Sequence, residues 1–477
     1  MIPPAGGGVG SEVQILSSRP NIDYYKKIFS IRIMLKSNFS HHLYGFTDLK
    51  SLNERGPTVL SHGKGIYVYD IHNKKYLDAN SGLWNACAGF DHPGLVEVAQ
   101  RQYSKFAGYH SLFGRLSEET LILSDKIIEV SPFDDGKVFF CNSGSEANDT
   151  AVKMLWMFNE RKGYKDKRKI ITRINAYHGV TLGATSMTGK PYIKEFGMPL
   201  KDFIHADCPH YWKYGLPKES EEDFSIRMAK NLEDLIIKEG PETIAGFFAE
   251  PVQGAGGVIP PSKNYFDLIQ LVLKKYEILM IADEVICGLG RTGNLWGCDT
   301  YNIDPDIIIS SKCLTAGFFP MGAVIVKKNF AEEFVNLSEE AEEFPHGFTS
   351  GGHPVGCAIA LKAIDVIINE GLLDNVRKVS PYFLKRLKEF EQYDQIGETR
   401  GVGLMAALEM VKDKEKKIPF DSNLNMGDKV ANMSIDNGLI CRPLGPAIVL
   451  CPQFIITKNQ IDEMYDSLHK TLKQAFK

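Results

Sequence analysis

A chain of 477 residues exceeds what one hydrophobic core usually organises, so two or more structural units are expected. Its 44% hydrophobic and 24% charged residues are those of an ordinary globular protein, and a net charge of −4 gives no reason to expect nucleic acid or a membrane surface as partner. No apolar stretch approaches the ~20 residues a spanning helix needs.

Residues 1–10 are rich in Pro and Gly and show no apolar periodicity. Arg19, Lys26, Lys27, Arg32 and Lys36 then outnumber Glu12 and Asp23, a basic excess resembling a weak organelle presequence without a clear amphipathic helix. Residues 1–40 are therefore read as a poorly ordered extension, with Met34 an alternative start. The nine cysteines are scattered and form no C-x-x-C pair, so free thiols in a reducing compartment, the cytoplasm first, are expected.

Past the extension, residues 65–70 and 75–78 read as a small hairpin. Residues 137–142 read as a strand, followed by helical spacing at Ala151, Met154, Leu155 and Phe158. Further strands are predicted at 169–172, 245–249, 278–282, 306–309 and 321–326. Strongly apolar strands between helices argue for an α/β fold with a mostly parallel sheet buried on both faces. Helical patterns at 357–368 and 382–390 and a β-like run at 447–450 follow. A second domain built from both chain ends is inferred, with boundaries 41–90, 91–345 and 346–477. Ligands of such sheets bind beyond the carboxyl ends of the strands. Asn142, Glu250, Asp283 and Lys312 all lie at such ends.

Lys312 closes Asp306-Ile-Ile-Ile-Ser-Ser-Lys312 and precedes the apolar Cys313-Leu-Thr-Ala-Gly-Phe-Phe-Pro320, a poor setting for a solvated amine. A desolvated lysine has a lowered pKa and becomes a usable nucleophile and base. Upstream, Asp283 closes another apolar run, where a carboxylate is costly to bury without a cationic partner. An imine-forming lysine and an aspartate held against a pyridinium nitrogen are what pyridoxal 5'-phosphate needs from a protein. In Asn142-Ser-Gly-Ser-Glu-Ala147, the backbone of Gly144 and Ser145 and the hydroxyls of Ser143 and Ser145 suit a phosphate at a helix N-terminus. Tyr177, in Ala176-Tyr-His-Gly179, could stack on a flat cofactor, and the Gly-rich stretch from Phe344 through Thr349 to His353 could make further anion contacts. Each segment alone has a plainer reading: a surface lysine, a loop cap, a Ser-capped helix, a packing tyrosine, a flexible loop. No G-x-x-x-x-G-K-[ST] loop supports a nucleotide-binding alternative.

In this order the segments resemble the class III aminotransferases of pyridoxal phosphate fold type I. The resemblance runs from about His42 to the C-terminus through Asp78-Ala-Asn-Ser-Gly-Leu-Trp84, Asn142-Ser-Gly-Ser-Glu-Ala-Asn148, Ala176-Tyr-His-Gly179, Ala249-Glu-Pro-Val252, Asp283-Glu-Val285, Ser311-Lys312 and His346-Gly-Phe-Thr349. Within the family the chain most resembles the ω-amine:pyruvate transaminases, through Leu43-Tyr-Gly-Phe-Thr47, Cys208-Pro-His-Tyr-Trp212 and Leu439-Ile-Cys-Arg-Pro-Leu444. The plant-type γ-aminobutyrate:pyruvate transaminases share several of these segments. The resemblance implies a large domain with a seven-stranded, mostly parallel sheet, a smaller α+β domain, and a homodimer sharing its active sites. It implies that Lys312 forms the imine and shuttles the proton, Asp283 holds the ring nitrogen, and Ser143, Gly144 and Ser145 take the phosphate. Tyr177 and Val285 would face the two sides of the ring, His178 and Glu250 would complete the cofactor set, and Thr349 would reach the neighbouring subunit's phosphate. Phe46, Trp84, Phe113 and Tyr177 would line the substrate pocket, with Arg442 pairing the substrate carboxylate. Two departures, Leu112 beside Phe113 and Gln253 after Val252, alter the expected substrate scope rather than the chemistry.

The expected activity is ping-pong transfer of an amino group from an amine or ω-amino acid to pyruvate, giving an aldehyde or ketone and alanine. γ-Aminobutyrate, β-alanine or taurine as donor is the alternative. A decarboxylase, an aminomutase and a non-catalytic homologue are the rivals. No metal is expected.

Overall fold

The structure, a computed structural model, describes residues 41–340 and 343–477; the extension expected over 1–40, with Met34, lies outside the described residues. The chain divides into two compact units, Met1–Leu60 and Ser61–Lys477. In the described part of the first, Asp48 accepts the Lys50 N–H at 3.0 Å beside the start of a short helix, Leu49–Arg55. Phe46 precedes it, exposed and at φ 47°.

Near its start the second unit has the expected hairpin, β1 (Tyr67–Asp70) and β2 (Lys75–Asp78), paired antiparallel with Val68 opposite Tyr76. Then come β3 (Gly136–Cys141), β4 (Lys169–Arg173), β5 (Phe203–Ala206), β6 (Ile244–Ala249), β7 (Leu279–Asp283), β8 (Ile307–Ser310) and β9 (Gly322–Lys327). These seven form one sheet in the order β3-β9-β8-β7-β6-β4-β5. The neighbours from β8 through β5 pair in parallel, while β9 runs antiparallel to both β3 and β8. All six residues of β6 are buried, as a strand covered on both faces requires. The edge strand β5 escapes a reading by pattern, since Phe-Ile-His-Ala is too short to show a period.

The long helix α1 (Gly144–Arg161) starts directly after β3 and buries Ala147, Ala151, Met154 and Leu155 in the core. Helix α2 (Pro354–Ile368) is buried over most of its length. Beyond it, β10 (Ile396–Val402), β11 (Met405–Asp413), β12 (Leu439–Ile440), β13 (Arg442–Leu444) and β14 (Ala447–Leu450) follow. Strands β10, β11, β14 and β13 pair antiparallel in that order. β12 instead pairs in parallel with β2, Leu439 opposite Leu77 and Ile440 opposite Asp78. Residues from the two ends of this unit are thereby stitched into one sheet.

Candidate active site

The strands that share a direction end on one side of the large sheet, and the chemistry-bearing residues follow those ends. Asp283 is the last residue of β7, opposite Ile309 of β8. Lys312 follows β8 in a short 3₁₀ turn, at φ 44°, with the preceding Ser311 hydroxyl donating to the Met321 carbonyl at 2.7 Å. A cavity of about 240 Å³ collects Ser143, Gly144, Ser145, Tyr177, His178, Glu250, Asp283, Val285 and Lys312, together with Leu83, Gly179 and Ile286.

One end of the cavity is the start of α1. Ser143 caps it, its Oγ accepting the Glu146 N–H at 3.2 Å, and the Glu146 carboxylate returns to the Asn142 N–H at 2.7 Å. The first-turn N–H groups of Gly144 and Ser145 have no acceptor within the helix, and the positive end of the helix dipole lies there. The Ser145 hydroxyl accepts the Val180 N–H at 3.1 Å, which leaves its own proton to donate. Two glycines keep this end open. A Cβ on Gly144 would stand 2.8 Å from a Val285 methyl, and one on Gly179, at φ 136°, would stand 2.3 Å from the Ser145 hydroxyl.

The carboxylate of Asp283 is held from three sides. Its Oδ2 meets His178 Nδ1 at 2.7 Å and accepts from Asn148 Nδ2 at 3.0 Å, while Oδ1 accepts the Val285 N–H at 3.1 Å. His178 thus bears on the site through Asp283. Glu250 turns inward to the backbone, accepting the N–H groups of Tyr177 at 3.1 Å and Gly254 at 2.8 Å. Burial raises the Glu250 carboxyl above its ordinary range, opposed by His178.

Lys312 sits among charges of both signs. Burial pushes its amine below the ordinary lysine range, Asp283 pulls it back, and Arg442 adds to the fall. Its Nζ lies 5.9 Å from the Trp84 ring centroid, and the Arg442 guanidinium lies 5.1 Å from the same ring. Trp84 is 1% exposed, and its indole N–H finds no partner among the described residues. The turn that delivers it puts Ser81, Gly82 and Trp84 at φ 49°, 65° and 65°, a strained path held by Asp78, which accepts the N–H groups of Asn80 and Gly82, each at 2.7 Å. The Ser81 hydroxyl ties the turn to the Cys451 carbonyl at 2.6 Å.

Of the expected residues, Trp84, Phe113, Thr349 and Arg442 do not line this cavity; Phe113 and Thr349 are exposed, Phe113 to 82%. Phe46 belongs to the first unit. Two residues escaped the sequence reading. Asn148 lies one helical turn after Gly144, so its amide shares that face and reaches Asp283, the Gly144 carbonyl at 3.1 Å and the His178 carbonyl at 2.9 Å. Lys190, unremarkable in a loop, has its amine pushed down to about 8 by burial, with Glu250 opposing. Among the described residues no group of side chains suits a metal ion, and no helix is long and apolar enough to cross a membrane.

A cavity lined by a buried carboxylate, a helix N-terminus, a lysine, a tyrosine and a valine fits a flat, phosphorylated, cationic ring such as pyridoxal phosphate. Comparison with known proteins agrees with this chemistry. The family profile described as Aminotransferase class-III matches residues 51–472. A curated relative from Solanum lycopersicum, gamma aminobutyrate transaminase 1, mitochondrial, is 44% identical over 88% of this chain and 82% of its own. The crystal structure of a pyridoxamine phosphate (PMP)-bound aminotransferase from Vibrio fluvialis superposes with a TM-score of 0.91 at 60% identity, covering 91% of this chain and 96% of that one. An omega-aminotransferase from Paracoccus denitrificans gives the same score and identity over 92% and 97%.

Proposed function

The chain belongs to the class-III aminotransferases, and on that premise we propose that it transfers an amino group from an amine or ω-amino acid to pyruvate, releasing alanine. The observation that carries this reading is one cavity lined by Lys312, Asp283 and the start of α1 together. Pyridoxal phosphate, the cofactor of this family, supplies the electron sink for the carbanion formed when the donor loses its Cα proton.

The protein's own groups do the rest. The N–H groups of Gly144 and Ser145 and the serine hydroxyls bind the phosphate. Asp283, fixed by His178 and Asn148, would set its negative charge against the ring nitrogen. Tyr177 and Val285 would confine the ring. Lys312, its amine lowered by burial, accepts the Cα proton and returns it on the other side of the nitrogen, a transfer worth roughly 10²–10⁴-fold. Arg442 approaches over the Trp84 ring and makes no ion pair among the described residues, so its fork is available to a carboxylate. The exposed positions of Phe113 and Thr349 support a homodimer in which a second copy completes each site. Nine unpaired thiols support a reducing compartment, which we take to be the cytoplasm.

The test is direct. Purified protein mixed with pyruvate and a series of amines, γ-aminobutyrate, β-alanine and taurine is expected to yield alanine and carbonyl product in equal amounts. Carbon dioxide release without alanine would assign a decarboxylase instead. Removing the charge in Arg442→Met separates the two half-reactions. It is expected to raise KM for pyruvate by about 10²-fold or more, the cost of unpairing a desolvated carboxylate, while KM for an uncharged amine stays near wild type. Equal effects on both substrates would remove Arg442 from carboxylate recognition.

A further inference from the structure

Trp84 and Arg442 reach the site from opposite ends of the chain, Trp84 on the turn after β2 and Arg442 at the start of β13. Their side chains do little to hold each other. Among the described residues the Arg442 guanidinium makes no ion pair and no hydrogen bond, and it meets the Trp84 ring only by an approach of 5.1 Å to its centre. Burial works against the Arg442 charge, with Tyr177 and Tyr192 opposing. The head of so loosely held a side chain takes its place from where its own backbone is fixed.

Residues 77–81 fix it. The Leu77 N–H donates to the Gly438 carbonyl and the Ala79 N–H to the Ile440 carbonyl, each at 2.9 Å, so this segment runs beside the approach to Arg442. The Ala79 carbonyl then accepts the Cys451 N–H at 2.6 Å, just beyond β14. Asn80 lies at the join. Its N–H is held by the Asp78 carboxylate at 2.7 Å, and its carbonyl accepts the Trp84 N–H at 2.8 Å. Its side-chain oxygen accepts the Arg442 N–H at 3.1 Å while its NH2 donates to the Val449 carbonyl at 3.3 Å, the amide orientation that satisfies both. Arg442 and Val449 themselves stand opposite each other in the β13–β14 pair. Asn80 is 5% exposed, so these bonds form away from solvent, where they are stronger. Burial pushes the Asp78 carboxyl up to about 6 and the N–H groups of Gly82 and Asn80 pull it back, which leaves it an acceptor at neutral pH. The positive φ angles of Ser81 and Trp84 persist because these bonds over-determine the turn.

We infer that Asn80 is a positioning residue for acid substrates: it fixes the Arg442 backbone against the Trp84 turn, so that the guanidinium stands over the indole face at the place where a substrate carboxylate is met. This rests on the proposed role of Arg442 toward carboxylates. Asn80 does not line the cavity and acts through its two neighbours. The place needs an amide, because one side chain must accept an N–H and donate to a carbonyl at once. A carboxylate cannot donate, and an alkyl group can do neither. The demand on position is strict, since a guanidinium binds a carboxylate through two parallel bonds and a misplacement of about 1 Å can cost on the order of 10²-fold.

The test measures binding without turnover. Dissociation constants of propionate and propionamide, one charged and one uncharged and neither able to accept an amino group, are measured by calorimetry on the holoenzyme. Their ratio reports the grip of Arg442 on a carboxylate. Asn80→Ala is expected to reduce the preference for propionate about 10-fold, and to raise KM for pyruvate by more than it lowers kcat. In an Arg442→Met background the same substitution is expected to leave the ratio unmoved, because its effect passes through Arg442. A ratio that Asn80→Ala does not change in the otherwise wild-type protein, or changes equally in both backgrounds, overturns the inference and makes Asn80 structural only. Where Asn80→Ala does not fold, Asp78→Asn reads the same ratio from the other end of the turn, since it replaces an acceptor of a backbone N–H by a donor; an unchanged ratio there overturns the inference equally. Wild-type protein with no preference for propionate removes Arg442 from carboxylate recognition, and the inference with it. Wild-type protein that prefers propionate through Arg442 yet forms no alanine from pyruvate overturns the proposed activity and leaves the role of Asn80 standing.

Discussion

Replacing Lys312 by alanine is expected to cut amine-to-pyruvate turnover by at least about 10²–10⁴-fold, the range supplied by a positioned general acid–base. The loss should fall on kcat rather than on binding, because the phosphate cradle, Asp283 and Arg442 remain. Folding should survive. Removing a buried amine relieves the desolvation that lowers its pKa, and among the described residues its Nζ makes no hydrogen bond that holds a neighbouring element. The decisive readout is spectroscopic as well as kinetic: the visible colour of bound cofactor should no longer bleach on adding amine. A Lys312→Ala protein that bleaches and turns over at the wild-type rate would remove Lys312 from the chemistry altogether.

The second large effect is expected at Asp283. On the proposed assignment, Asp283→Asn keeps the shape but removes the charge that would hold the ring nitrogen protonated, and with it the ring's strength as an electron sink. By analogy with other preorganised electrostatic groups, a fall in kcat of about 10²–10³-fold is expected. The damage spreads, because the carboxylate is shared. His178 Nδ1 and Asn148 Nδ2 both rest on Oδ2, and an amide cannot accept from both as well as a carboxylate does. Cofactor retention through dialysis is therefore expected to drop alongside kcat. Normal turnover with normal retention would show that the carboxylate is structural.

How far these residues could be read in advance depends on what each one's signal is. β6, β7 and β8 announce themselves because Ile, Leu, Met, Phe and Ala dominate them, with only Gly246 between, as doubly covered strands must. Asp283 and Lys312 stand out because they end such runs. β5 does not, being four residues long at an edge. Asn148 hides inside an amphipathic helix, where a polar residue looks like part of the solvated face, and only the fold shows that it points at Asp283. Lys190 looks like any loop lysine until burial is known.

The parallel pairing of β2 with β12 has a consequence for how the molecule is made. Lys312, Asp283 and the start of α1 have all left the ribosome while 439–444 are still unsynthesised. Arg442 comes last, on the strand beside the one that docks against Lys75–Asp78. On the proposed assignment, the last of this chain's site residues to be synthesised is thus the one that would select an acid substrate.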